Sequence, residues 1–169
     1  MKLFIDTTNN KFIVATIDKK TVVSFEMKET DNNVAKNANK WLSTFLAKSN
    51  LTINDIDGFY VVVGPGSFTG VKVGINIVNT AAMINGITDI NVISSLKLQK
   101  LAGVRYSVMT FGKGKMYILD TKYPFKNFKT STKPPKGTTR TNYEGFDADE
   151  LQSKLKWFRK TKTIEAIYP

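Results

Sequence analysis

A chain of 169 residues with 41% hydrophobic content is long enough for one sizeable domain or two small lobes, and too apolar for wholesale disorder. It holds no Cys and no His, which excludes disulfides, thiolate metal sites and any Ser–His or Cys–His catalytic couple. The net charge of +11 is concentrated: residues 97–140 carry eleven Lys and Arg against a single acid, Asp120, while the flanking stretches are close to balance.

The first elements form a meander. Residues 2–7, 12–17 and 21–27 read as short strands joined by the turns Thr7-Thr8-Asn9-Asn10 and Asp18-Lys19-Lys20. After the cluster Thr30-Asp31-Asn32-Asn33, the residues Val34, Ala38, Trp41, Leu42, Phe45 and Leu46 recur at the spacing of one helix face, predicting a helix over 34–48. Residues 58–63, GFYVVV, are apolar without alternation, as in a central strand buried on both faces.

VVVGPGSFTGVKVG, 61–74, then turns that strand into a helix. Gly64, Gly66 and Gly70 allow close backbone approach, and Ser67 and Thr69 stand where an N-cap stands. The helix over 69–84 is apolar round most of its circumference: Val71, Ile75, Val78 and Ala82 line one face, and Gly74, Ile77, Ala81 and Ile84 another. Such a helix needs cover on two sides, one from the sheet and one from a neighbouring helix or a second chain.

Residues 90–93 read as a strand, Leu96–Ala102 as a helix capped by Ser94-Ser95, and 106–111 with 115–120 as a hairpin about Gly112-Lys113-Gly114. Residues 121–142, rich in Pro, Gly, Lys and Thr, are expected to form a mobile basic surface loop. A last helix follows Asp147 to about Phe158, and the chain closes in an extended segment. Aromatic residues Tyr106, Phe111, Tyr117, Tyr123, Phe125 and Phe128 lie among the cations of 97–140. That mixture suits an RNA surface, and equally a solvated face over aromatic core. No apolar run spans a bilayer, and Asp6 interrupts MKLFIDTT too early for a signal peptide, so a cytoplasmic location is expected.

Meander strands followed by helix, strand, helix and strand give an α/β fold with a mixed sheet and helices on its faces. That order is the ribonuclease-H-like half of the actin, sugar kinase and Hsp70 superfamily, here over 1–93, with a trimmed second lobe over 94–169. MKLFIDTT, VVVGPGSFTGVKVG and VISSLKLQKLA resemble the TsaB (YeaZ) family, the accessory subunit of bacterial threonylcarbamoyladenosine synthesis on tRNA. The resemblance is firm over 1–102. Lys72 stands where members usually carry Arg, and the catalytic sister family, TsaD, holds a metal with helix histidines that this chain lacks.

The resemblance implies a non-catalytic scaffold that pairs with a TsaD-like subunit through its first two helices. It also implies a homodimer on the same face when the partner is absent, docking of a TsaE-like ATPase, and ATP and metal held by the partners rather than by this chain. The interface expected here comprises Val34, Ala38, Trp41, Leu42 and Phe45 with Gly70, Val71, Gly74, Ile75, Val78 and Ala81. On this reading Gly74→Trp or Val78→Asp abolishes pairing and spares the fold. Lys113, Lys115, Lys126 and Lys129 are the residues expected near tRNA.

The alternative is a small phosphotransferase that sets Asp6 and Thr7 beside a nucleotide cradled by the turn 64–70. Asp6 can equally cap its own turn, and the glycine turn can equally serve helix packing. GPGSFTGVK fits neither the P-loop nor the dinucleotide fingerprint. Asp6, Glu26 and Asp57 make a poor nuclease cluster, and Ser67 has no His to activate it.

Overall fold

The computed structural model describes residues 1–31, 33–112, 114–122 and 128–168. Its centre is a six-stranded mixed sheet, ordered β10-β5-β4-β1-β2-β3. The strands are β1 Lys2–Asp6, β2 Lys11–Asp18, β3 Thr21–Glu29, β4 Gly58–Val62, β5 Ile90–Ile93 and β10 Arg159–Thr161. β1, β2 and β3 form the expected antiparallel meander, and β1, β4 and β5 run parallel. β4 is buried at every position, as its unbroken apolar sequence requires.

One face of this sheet is covered by α1, Val34–Ala47, and α2, Phe68–Asn85. Leu3, Phe12, Val14, Phe59 and Val61 meet Leu42, Phe45, Val71 and Val78 in a first core. The Ser67 hydroxyl accepts from Gly70 N at the start of α2, and Gly86 ends it at φ 63°, a left-handed conformation that suits a residue without Cβ.

The opposite face packs on a four-stranded sheet, ordered β8-β7-β6-β9. Its strands are β6 Tyr106–Phe111, β7 Lys115–Asp120, β8 Lys129–Ser131 and β9 Thr139–Thr141. With α3, Ser95–Leu98, and α4, Ala148–Lys154, it forms a second core in which Phe4, Ile13, Tyr60 and Val62 meet Leu96, Met109, Tyr143 and Leu151.

Three sequence expectations change. The segment 121–142 is not a loop throughout: Lys129 pairs opposite Ile118 on β7, and Arg140 opposite Ser107 on β6. The helix expected to Ala102 ends at Leu98. The end of the expected last helix becomes a 3-10 turn over Leu155–Trp157, after which the chain returns to the first sheet as β10, with Arg159 opposite Val92.

The two sheet edges are managed differently. The side-chain amide of Gln152 on α4 accepts from Val22 N at 2.5 Å and donates to Lys20 O, occupying backbone groups at one end of the β3 edge. β10 presents charged side chains at the other edge. Beyond it the chain runs back over the first core, where Ile167 N donates to Val63 O at 2.7 Å.

Candidate functional site

The glycine turn faces the protein itself. The turn after β1 lies beneath the start of α2: Thr7 Oγ1 donates to Gly70 O at 2.6 Å, and Ser67 N donates to Thr8 O at 2.7 Å. A Cβ on Gly66 would overlap the Thr8 carbonyl oxygen, and one on Gly70 that of Thr7. At Gly74 a Cβ would stand 2.6 Å from Thr7 Oγ1. The three glycines therefore let α2 lie directly on the β1–β2 turn, and chain backbone fills the space a phosphate would need.

Asp6 is sealed. It is 0% exposed, its Oδ1 accepts from Thr8 N at 2.7 Å, and Tyr143, also 0% exposed, closes over it. Tyr143 is fixed there at φ 58°, an uncommon conformation for a bulky residue. Its N donates to Gln99 Oε1 at 3.0 Å, and the neighbouring Asn142 Oδ1 accepts from Thr110 N at 2.9 Å. Asp6 Oδ2, the Thr8 hydroxyl and the Tyr143 hydroxyl are buried without a well-formed hydrogen bond among the described residues. The nucleotide and metal that the actin-like superfamily implies do not fit Asp6, because its carboxylate meets protein on every side, while Ser67 and Thr69 of the glycine turn reach a cleft. Asp6 and Thr7 are placed as turn and packing residues, against the phosphotransferase alternative.

Burial pushes the Asp6 carboxyl above the usual range, while the Tyr143 hydroxyl and the Thr8 amide beside it act the other way. A raised folded-state value means that the unfolded chain loses this proton first as pH rises. Stability is then undiminished below the unfolded carboxylate range and falls as pH climbs through the raised value. Asp6→Asn, which keeps an oxygen for Thr8 N, is expected to flatten this fall and raise the melting temperature at neutral pH. Thermal melts of both proteins from acid to neutral pH check it; parallel curves would contradict a charged, buried Asp6.

The two long helices place the expected interface residues inside the chain. Val71 and Val78 are 0% exposed, and Val34, Ala38, Leu42, Phe45, Gly70, Gly74, Ile75 and Ala81 are also buried. Trp41 lies against Phe12, with ring centroids 5.4 Å apart. Periodicity thus identified the face these helices turn to their own sheet, and Gly74→Trp or Val78→Asp would attack the core rather than a contact. The outer surface is different. A groove of about 620 Å³ runs between α1 and α2, rimmed by Asn39, Asn76, Thr80 and Ile84 over a floor that includes Leu42 and Ala81. Met83 is 80% exposed and Ile84 70% at the end of α2. Phe68 is 60% exposed at its start, with Tyr168 and Lys72 against its ring.

Among the basic residues, Lys115 and Lys129 are exposed on the second sheet, while Lys113 and Lys126 lie outside the described residues, as do Tyr123 and Phe125. Phe111 stacks on Tyr117 at 3.9 Å and Phe128 meets Tyr117 edge-on at 5.7 Å, so these partly buried rings pack against the second core. Arg140 is buried, where it donates to Glu144 O and pairs with Glu150. A cleft of about 570 Å³ separates Asn9, Ser67 and Thr69 from the β6–β7 hairpin at Thr110 and Lys115. Among the described residues no group of three His, Cys, Asp or Glu can hold a metal, and no helix is long and apolar enough to cross a membrane.

Sequence missed two features of this region. Tyr143 sits in a polar stretch without periodicity and gave no signal. The ion pair of Glu150 with Lys154 was readable as an i, i+4 pair on the last helix.

Residues 28–103, which contain both long helices and the glycine turn, match the family model described as TsaD: tRNA N6-adenosine threonylcarbamoyltransferase. An uncharacterized protein MG208 homolog of Mycoplasma pneumoniae is 33% identical over 118 residues, covering 69% of this chain and 60% of its own length. Uncharacterized protein MG208 of Mycoplasma genitalium is 30% identical over 100 residues, covering 58% of this chain and 51% of its own. The chain thus spans little more than half the length of these curated relatives. Among solved structures, YeaZ from Pseudomonas aeruginosa superposes with a TM-score of 0.58 at 16% identity, over 77% of this chain and 63% of that one. A second, titled as an uncharacterized protein with similarity to peptidase YEAZ from Pseudomonas aeruginosa, gives 0.59 at 16% identity, over 77% and 62%. The chain has the actin-like, ribonuclease-H-like fold of YeaZ, and the resemblance to the TsaB (YeaZ) family read from its motifs stands.

Proposed function

We propose that this chain is a TsaB (YeaZ)-type accessory subunit, without catalytic residues of its own, that pairs with a TsaD-like protein in threonylcarbamoyl transfer to the adenosine beside the tRNA anticodon. The observation that carries the reading is the outer surface of α1 and α2. The groove between them and the exposed Met83 and Ile84 leave an apolar surface uncovered on the helices that the family match contains. A contact of ordinary size, about 800 Å² per partner, would cover it. The sealed Asp6 and the absence of His argue against a catalytic centre of the nucleotide or metal type in this chain.

A TsaE-like ATPase then joins the pair, ATP and metal reside in the partners, and the same face forms a homodimer when no TsaD-like chain is present. The pairing surface consists of Asn39, Asn76, Thr80, Met83 and Ile84 rather than the buried stripe beneath them.

Co-expression with the TsaD-like protein of the same cell, followed by affinity capture and gel filtration, tests this. The native chain is expected to co-elute in a stoichiometric complex. Thr80→Arg with Ile84→Asp, both at exposed positions, is expected to abolish co-elution while the melting temperature of the isolated chain stays within a few degrees. Failure of the native chain to co-elute, or pairing that survives both changes, would overturn the reading.

A further inference from the structure

The carboxyl ends of β4 and β5 hold a second cleft, of about 530 Å³, that none of the preceding assignments uses. It opens between β5, β10 and the returning segment 163–167. Val63, Val92 and Ile167 line its apolar part, Trp157 stands at one side, and Lys97 and Arg159 bring two cations to it. Clefts beyond the carboxyl ends of parallel strands are the usual ligand positions in open α/β sheets, and the volume lies in the range of small-molecule sites.

Cations outnumber acids around it. Between Leu151 and Ile164 the chain carries Lys154, Lys156, Arg159, Lys160 and Lys162 and no acid. Lys154 is buried against Glu150, and Lys160 is paired with Asp89 at 3.4 Å. Lys156, Arg159 and Lys162 are exposed and make no ion pair among the described residues. Lys97 Nζ donates to the Trp157 main-chain carbonyl at 3.5 Å, and both residues line the cleft. Glu165 is the one acid lining the cleft.

We propose that this cleft is a nucleotide-binding site, taking one phosphate on Arg159 and Lys97 and one base against Trp157 and the apolar wall. Each part of a nucleotide finds its chemical counterpart. The guanidinium is planar and bidentate toward phosphate. An indole offers a flat face on which any base stacks. The Glu165 carboxylate accepts from ribose hydroxyls. The exposed Lys156 and Lys162 flank the cleft, so a neighbouring phosphate of the same strand also meets positive charge. The ligand is therefore a free mononucleotide or one nucleotide of an RNA strand. The site concerns the isolated chain and does not depend on pairing through α1 and α2.

The test uses the full chain carrying Trp41→Phe, which leaves Trp157 as its one tryptophan. Indole fluorescence is followed on titration with uridine monophosphate and, separately, with a short single-stranded oligouridine whose anisotropy is also read. Quenching by the mononucleotide assigns the site to free nucleotides. Quenching by the oligonucleotide alone, with affinity falling as salt rises from about 50 to 200 mM, assigns it to a strand. Arg159→Glu, exposed on an edge strand, is expected to weaken binding about tenfold or more. Lys36→Glu makes the same charge change at an exposed position on α1 and is expected to stay within about twofold. Arg159→Gln supplies a second variant should the reversal lower the melting temperature. Silence with both probes overturns the proposal. Equal losses at Arg159 and Lys36, which would mean surface charge alone, also overturn it, as does a loss at Lys36 only.

Discussion

Gly70→Ala is expected to destabilise the protein by about 3 kcal/mol or more, lowering the melting temperature by roughly 6–12 °C for a chain of this length. The added methyl would overlap the carbonyl oxygen of Thr7, and that oxygen belongs to backbone at the end of the central strand β1, so no side chain can swing aside. Relief requires moving α2 off the sheet, which loosens Val71 and Val78, both 0% exposed in the first core. The hydrogen bond from Thr7 Oγ1 to Gly70 O would be lost with it. Gly112→Ala is the control: among the described residues nothing lies within 4 Å of the added carbon, and the change is expected to stay within about 0.5 kcal/mol. Thermal melts of the three proteins decide the matter. A Gly70→Ala protein that melts with the native one would mean that α2 does not rest on the turn as described.

Val78→Asp is expected to abolish folding of the isolated chain, with a loss of about 4 kcal/mol or more from a total stability of about twice that size for an ordinary domain. The position is 0% exposed among Val71, Ile75 and the apolar face of the sheet, and a carboxylate there would have neither water nor cation. Ile84→Asp makes the same kind of change six residues along the same helix, at 70% exposure, and is expected to leave melting within about 0.5 kcal/mol. Circular dichroism melts separate the two. The pair also separates what α2 does for its own domain from what it presents to another. A folded Val78→Asp protein would place the helix differently against the sheet.

These expectations differ from those the sequence alone supports, and the difference has a physical cause. Residues such as Ala38, Leu42, Phe45, Val71, Ile75 and Val78 recur at helical spacing because a helix on a sheet must bury one stripe. The stripe says nothing of whether the opposite side meets water or another chain. In α2 the clue was the second stripe, Gly74, Ile77, Ala81 and Ile84, whose last residue stays exposed beside Met83. The strands β1 to β5 were legible for a related reason: β4 and the meander carry enough apolar residues in a row to exceed what a loop needs. β8, β9 and β10 were not, because KTS, TRT and RKT are three-residue strands whose identity comes from the partner they pair with.

The glycine turn shows the same limit at the level of a site. Gly64, Gly66 and Gly70 announced a close approach. What approaches was settled by Thr7 and Thr8, which share the turn after β1 and lie some sixty residues away along the chain. Ser67 was correctly read as a cap, since its hydroxyl takes Gly70 N as N-cap residues do. Asp6 was visible as a polar residue at a strand end, but its burial depends on Tyr143, whose left-handed backbone no local pattern foretells.

The pairing of β10 with β5 bears on synthesis. β5 is complete at Ile93, and the strand that covers its outer edge ends at Thr161. Throughout translation of residues 94–158 the nascent chain carries a sheet whose last rung is bare, and that edge closes only once β10 has been made.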